Sequence, residues 1–106
     1  MLDKPTLARI AEEVIGPNYA LLRGVVARMM NLDPLHDSVR FCAHSIIGQV
    51  VHYGAGKPVI GLLWPAMKMT PHQVELIAKH ITGFSLAGIR AINASIARDK
   101  SGKRKT

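Results

Sequence analysis

The sequence predicts an all-α fold, an antiparallel helical bundle of about four to five helices. Three observations carry this. Apolar residues recur at spacings of three and four along most of the 106 residues. Proline, glycine and small polar residues fall between those stretches, where helices start and stop. No segment of useful length alternates apolar and polar residues as a half-buried strand does.

The first helix is expected over 6–15, with Thr6 as its N-cap. Leu7, Ile10, Ala11, Val14 and Ile15 form one face, and Arg9, Glu12 and Glu13 the other. Gly16-Pro17 interrupts the pattern, because proline disfavours helix at the residue before it. The periodicity resumes at once through Tyr19, Leu22, Val25, Val26, Met29, Met30 and Leu32. Pro17 therefore opens a second helix or kinks one longer helix; a break or sharp kink is favoured.

Asn31 to Asp37 reads as a turn centred on Asp33-Pro34. Asp37 or Ser38 can cap the third helix. Its apolar face is Val39, Cys42, Ala43, Ile46, Ile47, Val50 and Val51, ending at Tyr53 and Gly54. Pro58 opens a short apolar turn, Val59 to Trp64, that stops before Pro65. It is too short to be stable alone and must pack on something. Thr70-Pro71-His72-Gln73 is the sharpest start signal: Thr70 caps, Pro71 suits the first helical position, and Gln73 completes a capping box.

The last helix is expected from 71 to about 97. At about 1.5 Å per residue it measures some 40 Å. A compact chain of this size has a radius of gyration near 13 Å, hence a diameter of roughly 33 Å. The helix is also apolar on more than one face: Val74, Ile77, Ile81, Phe84, Gly88, Ala91, Ile92 and Ser95 on one, Leu76, Leu86, Ile89 and Ile96 off it. A helix wet on one side carries one stripe and a charged back. A partner helix from a second copy resolves the excess. Gly48, Gly83 and Gly88, with Ala87, allow close backbone approach, although helical glycine costs about 1 kcal/mol relative to alanine. The sequence thus predicts a homodimer joined by a four-helix interface from the last two long helices. Ile46, Gln49, Val50, Ile77, Ile81, Phe84, Ser85, Gly88, Ile89 and Ile92 are its candidate residues.

Charge divides unevenly. The formal charge is +7, from 14 basic and 7 acidic residues. The final segment RDKSGKRKT carries five basic groups against one acid and supplies +4 of it. With no apolar anchor, 98–106 is expected to be a basic flexible tail following a helical domain over 1–97. A phosphate-binding arm is the competing reading of that tail.

Several function classes are excluded or disfavoured. The 48% apolar content excludes a disordered chain. The lone Cys42 excludes a disulfide scaffold and a multi-cysteine zinc module, and it sits on an apolar face as a small core residue. No apolar run approaches the roughly 18 residues that span a bilayer. The start MLDKPTLARI has no signal-peptide core, so a cytoplasmic protein is expected. His36, His44, His52, His72 and His80 include no i,i+4 pair, so no metal site is expected. No nucleophile has a base and orienter, and no glycine loop follows a strand to cradle phosphate. No catalytic residue and no cofactor are predicted. A small hydrophobic ligand between helices is compatible with Tyr19, His44, Gln49, His52, Tyr53 and Trp64, the polar or half-polar groups placed to converge.

The stretch Phe41-Cys-Ala-His-Ser-Ile-Ile-Gly-Gln-Val-Val-His-Tyr53 resembles part of the C-terminal domain of TetR-type transcriptional repressors, in the CecR/CerR-like subgroup. Three further pieces match in order: 12–23, EEVIGPNYALLR; 57–65, from KPVI to LWP; and 77–89, IAKHITGFSLAGI. Together they cover about 10–92. The resemblance implies an all-helical domain that binds an inducer and dimerises through its last two long helices. In that family a helix-turn-helix domain at the chain start reads operator DNA. No such domain is present in this chain, so DNA binding is expected only through a part outside it. The expected function is the dimerisation and ligand-sensing part of such a regulator, with homodimer and inducer as partners and no membrane. The alternative is a stand-alone basic helical module that binds nucleic acid through its tail.

Overall fold

The computed structural model describes residues 3–9, 12–13 and 16–105, with side chains described as far as Lys100. Among the described residues five α-helices follow one another: α1 (Lys4–Arg9), α2 (Gly16–Met30), α3 (Asp37–Gly54), α4 (Lys57–Leu63) and α5 (Pro71–Lys105). Among the described residues there is no strand, and the fold is all-α. The chain divides into two compact units, 1–43 and 44–106, the division falling inside α3.

The first unit starts earlier than the periodicity predicts. Thr6 is not the cap of α1; Asp3 is, its Oδ1 accepting the Thr6 amide at 2.9 Å. A carboxylate beside the exposed first-turn amides satisfies groups that no helical carbonyl reaches. Hydrogen bonding by the Thr6 side chain first, and by the Thr6 amide second, holds the Asp3 carboxyl below the usual carboxylate range. Ile10, Ala11, Val14 and Ile15, expected on the inner face of this helix, lie outside the described residues. Arg9 and Glu13 pair at 3.9 Å in solvent.

Helix α2 begins at Gly16, so Pro17 sits in its first turn, where its missing N–H is harmless. The helix ends in a Schellman motif. Leu32 N–H donates to the Ala27 carbonyl at 3.1 Å and Asn31 N–H to the Arg28 carbonyl at 3.3 Å. Asn31 carries the required left-handed backbone, with φ 55°. The expected turn at Asp33-Pro34 is present: Asp33 Oδ1 accepts the Leu35 amide at 2.7 Å and its carbonyl the His36 amide at 2.9 Å. The cap of α3 differs from expectation. It is His36, whose Nδ1 accepts the Ser38 amide at 3.1 Å, while Asp37 pairs with Arg40 at 2.9 Å. Among its described residues, those buried are Val26, Ala27, Met30, Val39, Cys42 and Ala43.

The second unit holds the rest of α3, then α4 and α5. Gly56 closes the α3 end: a Cβ there would strike the His52 carbonyl oxygen. Only a residue without a side chain fits under that carbonyl. Helix α4 runs into Trp64, whose amide reaches the Ile60 carbonyl at 2.7 Å and whose φ of −140° suits the residue before Pro65. Thr70 caps α5 as predicted, its Oγ1 accepting the Gln73 amide at 3.1 Å. Helix α5 continues to Lys105, well past the expected end near 97. No proline interrupts 98–105, lysine and arginine are good helix formers, and cations complement the negative helix terminus. In this unit the buried apolar residues, among those described, are Ile60 and Ile89.

Candidate ligand cleft and interface face

Tyr53 at the end of α3, Trp64 after α4, and Gln73, Leu76, Ile77 and His80 on α5 line a cleft of about 320 Å³. Each group arrives there for a local reason. Gly56 turns the chain after Tyr53, Pro65 halts it at Trp64, and the Thr70 cap fixes the start of α5. Gln73, Ile77 and His80 follow at i, i+4 and i+7, one helical face. The walls are mostly aromatic and aliphatic, with a phenol, an indole, an amide and an imidazole as hydrogen-bonding groups. His52 meets the Tyr53 ring edge-on at 5.5 Å and 71°, and His80 lies 5.7 Å from the Phe84 ring. These contacts restrict two of the aromatic groups near the cleft.

Of the six ligand residues proposed from sequence, the cleft gathers Tyr53 and Trp64, and His52 stands behind Tyr53. Gln49 is engaged elsewhere, donating to Ser85 Oγ at 3.2 Å and to the Ser45 carbonyl at 3.3 Å. His44 is exposed. Tyr19 belongs to the first unit, where the Arg23 guanidinium lies 5.4 Å from its ring centre. Sequence reading missed Gln73 and His80 as lining residues. The signal was their shared face on α5, hidden because Gln73 reads first as a cap and His80 as a solvent histidine. Ile77, proposed for the dimer interface, lines the cleft.

The proposed interface residues occupy a second feature. Ile46, Gln49 and Val50 follow at i, i+3 and i+4 on α3; Ile77, Ile81, Phe84, Gly88 and Ile92 repeat at helical spacing on α5. Phe84 is 64% exposed and Val50 56%. Ile46, Ile77, Ile81, Ser85 and Gly88 are half-buried. Ile89, at 5%, is already covered within the chain. A Cβ built at Gly48, Gly83 or Gly88 would meet nothing within 4 Å.

Among the described residues no cluster of three or more His, Cys, Asp or Glu side chains could hold a metal ion. Among the described residues no helix is long and apolar enough to cross a membrane.

Residues 4–89 match the family described as the C-terminal domain of the HTH-type transcriptional dual regulator CecR. The chain belongs to this family. It is therefore a C-terminal domain of a CecR-type transcriptional regulator. Comparison with curated proteins and with solved structures gives no significant match.

Proposed function

We propose that this CecR-type domain joins two copies of its regulator through α3 and α5. The observation that carries this is the poverty of the second unit's own core: among its described residues, Ile60 and Ile89 are buried while Val50, Phe84 and Ile92 stay exposed. Isologous packing of the α3–α5 face on itself would cover these side chains and fill the empty space beside Gly48 and Gly88. Light scattering at micromolar concentration tests it. A dimer is expected, and Gly88→Leu should raise its dissociation constant, because overpacking costs about 1–3 kcal/mol. A strictly monomeric native chain would refute the proposal.

Ligand sensing is a second reading, favoured by the cleft. Its aromatic walls and four hydrogen-bonding groups suit a small, flat, mostly apolar molecule with one or two polar atoms. A thermal-shift screen of such compounds should find binders that raise the melting temperature, since a native-state ligand stabilises by linkage. Trp64→Ala should abolish the shift. A binder unaffected by Trp64→Ala would locate the site elsewhere.

A further inference from the structure

Helix α5 does not stop where its apolar pattern stops. Ile96 is half-buried, and Ala97 to Lys100 are exposed. The backbone nevertheless stays helical to Lys105. Over 98–105 the sequence RDKSGKRK sets Arg98, Lys100, Lys103, Arg104 and Lys105 against Asp99 alone. At about 1.5 Å per residue, these cations lie along roughly 12 Å of axis. At about 100° per residue, backbone positions 100, 103 and 104 fall within about 100° of one another around the axis. Dipole complementation acts only within the last turn, so it accounts for the final cations but not for Arg98 or Lys100. Among the described residues, neither of those two forms an ion pair; the pairs lie at Arg9–Glu13 and Arg40–Asp37.

The segment has no aromatic or aliphatic side chain with which to recognise a shaped apolar partner. Charge alone is on offer, and it is concentrated: more than half the net charge of the chain. A uniform polyanion is the partner that such a surface fits. Duplex DNA presents about one negative charge per 1.7 Å of axis.

We propose that the helical end of α5, residues 98–105, binds the phosphate backbone of duplex DNA. The contact reads no sequence; it adds affinity and salt dependence to a regulator whose operator is read elsewhere. The proposal rests on membership of a transcription-regulator family and is independent of the dimer and of the cleft.

The test uses the full chain, a short random-sequence duplex and fluorescence anisotropy over a salt series. Three phosphate contacts predict an affinity that falls about 40-fold between about 50 and 200 mM salt. The triple variant Lys100→Gln, Lys103→Gln, Arg104→Gln should retain its helix content and mass, since glutamine is a good helix former. It should lose most of the low-salt binding, with the log–log slope shallower by about 3. The companion Lys100→Arg, Lys103→Arg keeps the charge and must keep the binding. Affinity and slope unchanged in the glutamine variant would overturn the proposal. So would a native chain that ignores the duplex at low salt, or one that binds anionic phosphatidylglycerol vesicles and not DNA. Native mass measured on the same samples separates this outcome from the dimer question.

Discussion

Gln49 Nε2 donates to Ser85 Oγ at 3.2 Å and thereby ties α3 to α5 across 36 residues of sequence. The two side chains are half-buried, so the bond competes only partly with water. A neutral bond of this kind contributes about 1 kcal/mol net. Ser85→Ala should therefore lower the melting temperature by about 4–8 °C. A double-mutant cycle with Gln49→Ala should return a coupling energy of at least about 0.5 kcal/mol. Additive single effects would show that the bond contributes nothing.

The glycines should separate into two classes. Gly56→Ala places a methyl group against the His52 carbonyl oxygen and should destabilise the fold by about 1–3 kcal/mol. Gly48→Ala meets nothing within the chain and should stabilise the isolated protomer by up to about 1 kcal/mol through helix propensity. In the proposed dimer the same methyl group would obstruct close approach. Protomer stability at high dilution should then rise while dimer affinity falls, and an unchanged or tighter dimer would remove Gly48 from the interface.

Thr70→Ala removes the oxygen that accepts the Gln73 amide at the start of α5. A loss of about 0.5–2 kcal/mol is expected, and Thr70→Ser should restore most of it. Since Gln73 lines the cleft, a ligand of the cleft should also weaken in Thr70→Ala. Calorimetric denaturation with and without that ligand checks both effects.

Burial raises the Cys42 thiol above its ordinary value. The unfolded chain therefore releases this proton at lower pH than the folded chain. The thiol's contribution to stability is complete below the unfolded value and declines as pH rises through the folded one. Urea midpoints should fall across that alkaline window, and more steeply in the native chain than in Cys42→Ala. Thiol reagents should react slowly at neutral pH and rapidly after denaturation.

Much of this architecture was legible because its signals are local. Pro17, Asp33-Pro34, Pro58 and Thr70-Pro71 each act on the backbone beside them, and the structure places helix starts or turns at all four. The α3 cap was misplaced because His36 Nδ1 can accept an amide bond in the way an aspartate does, which composition does not reveal. Asp3 was passed over in favour of Thr6 because either residue type caps and only geometry decides. The cleft was half legible. Tyr53 and Trp64 announce themselves by type, but their meeting with Gln73 and His80 depends on the Gly56 turn and the Pro65 stop, which bring distant positions together. The helical backbone beyond 97 was not legible because a charge run with no apolar anchor normally frays.

That same end of α5 makes backbone order a reporter. From Ala97 onward the helix has exposed side chains as far as they are described, so propagation from the preceding turns is what extends it. Its amides should exchange with solvent deuterium in a graded ladder, fastest at the terminus and slower toward Ile96. Warming should shorten the ladder turn by turn, and a polyanion laid along the cations should lengthen it. Helix α5 thus carries, beyond its apolar face, a stretch of chain whose protection pattern records what it is touching.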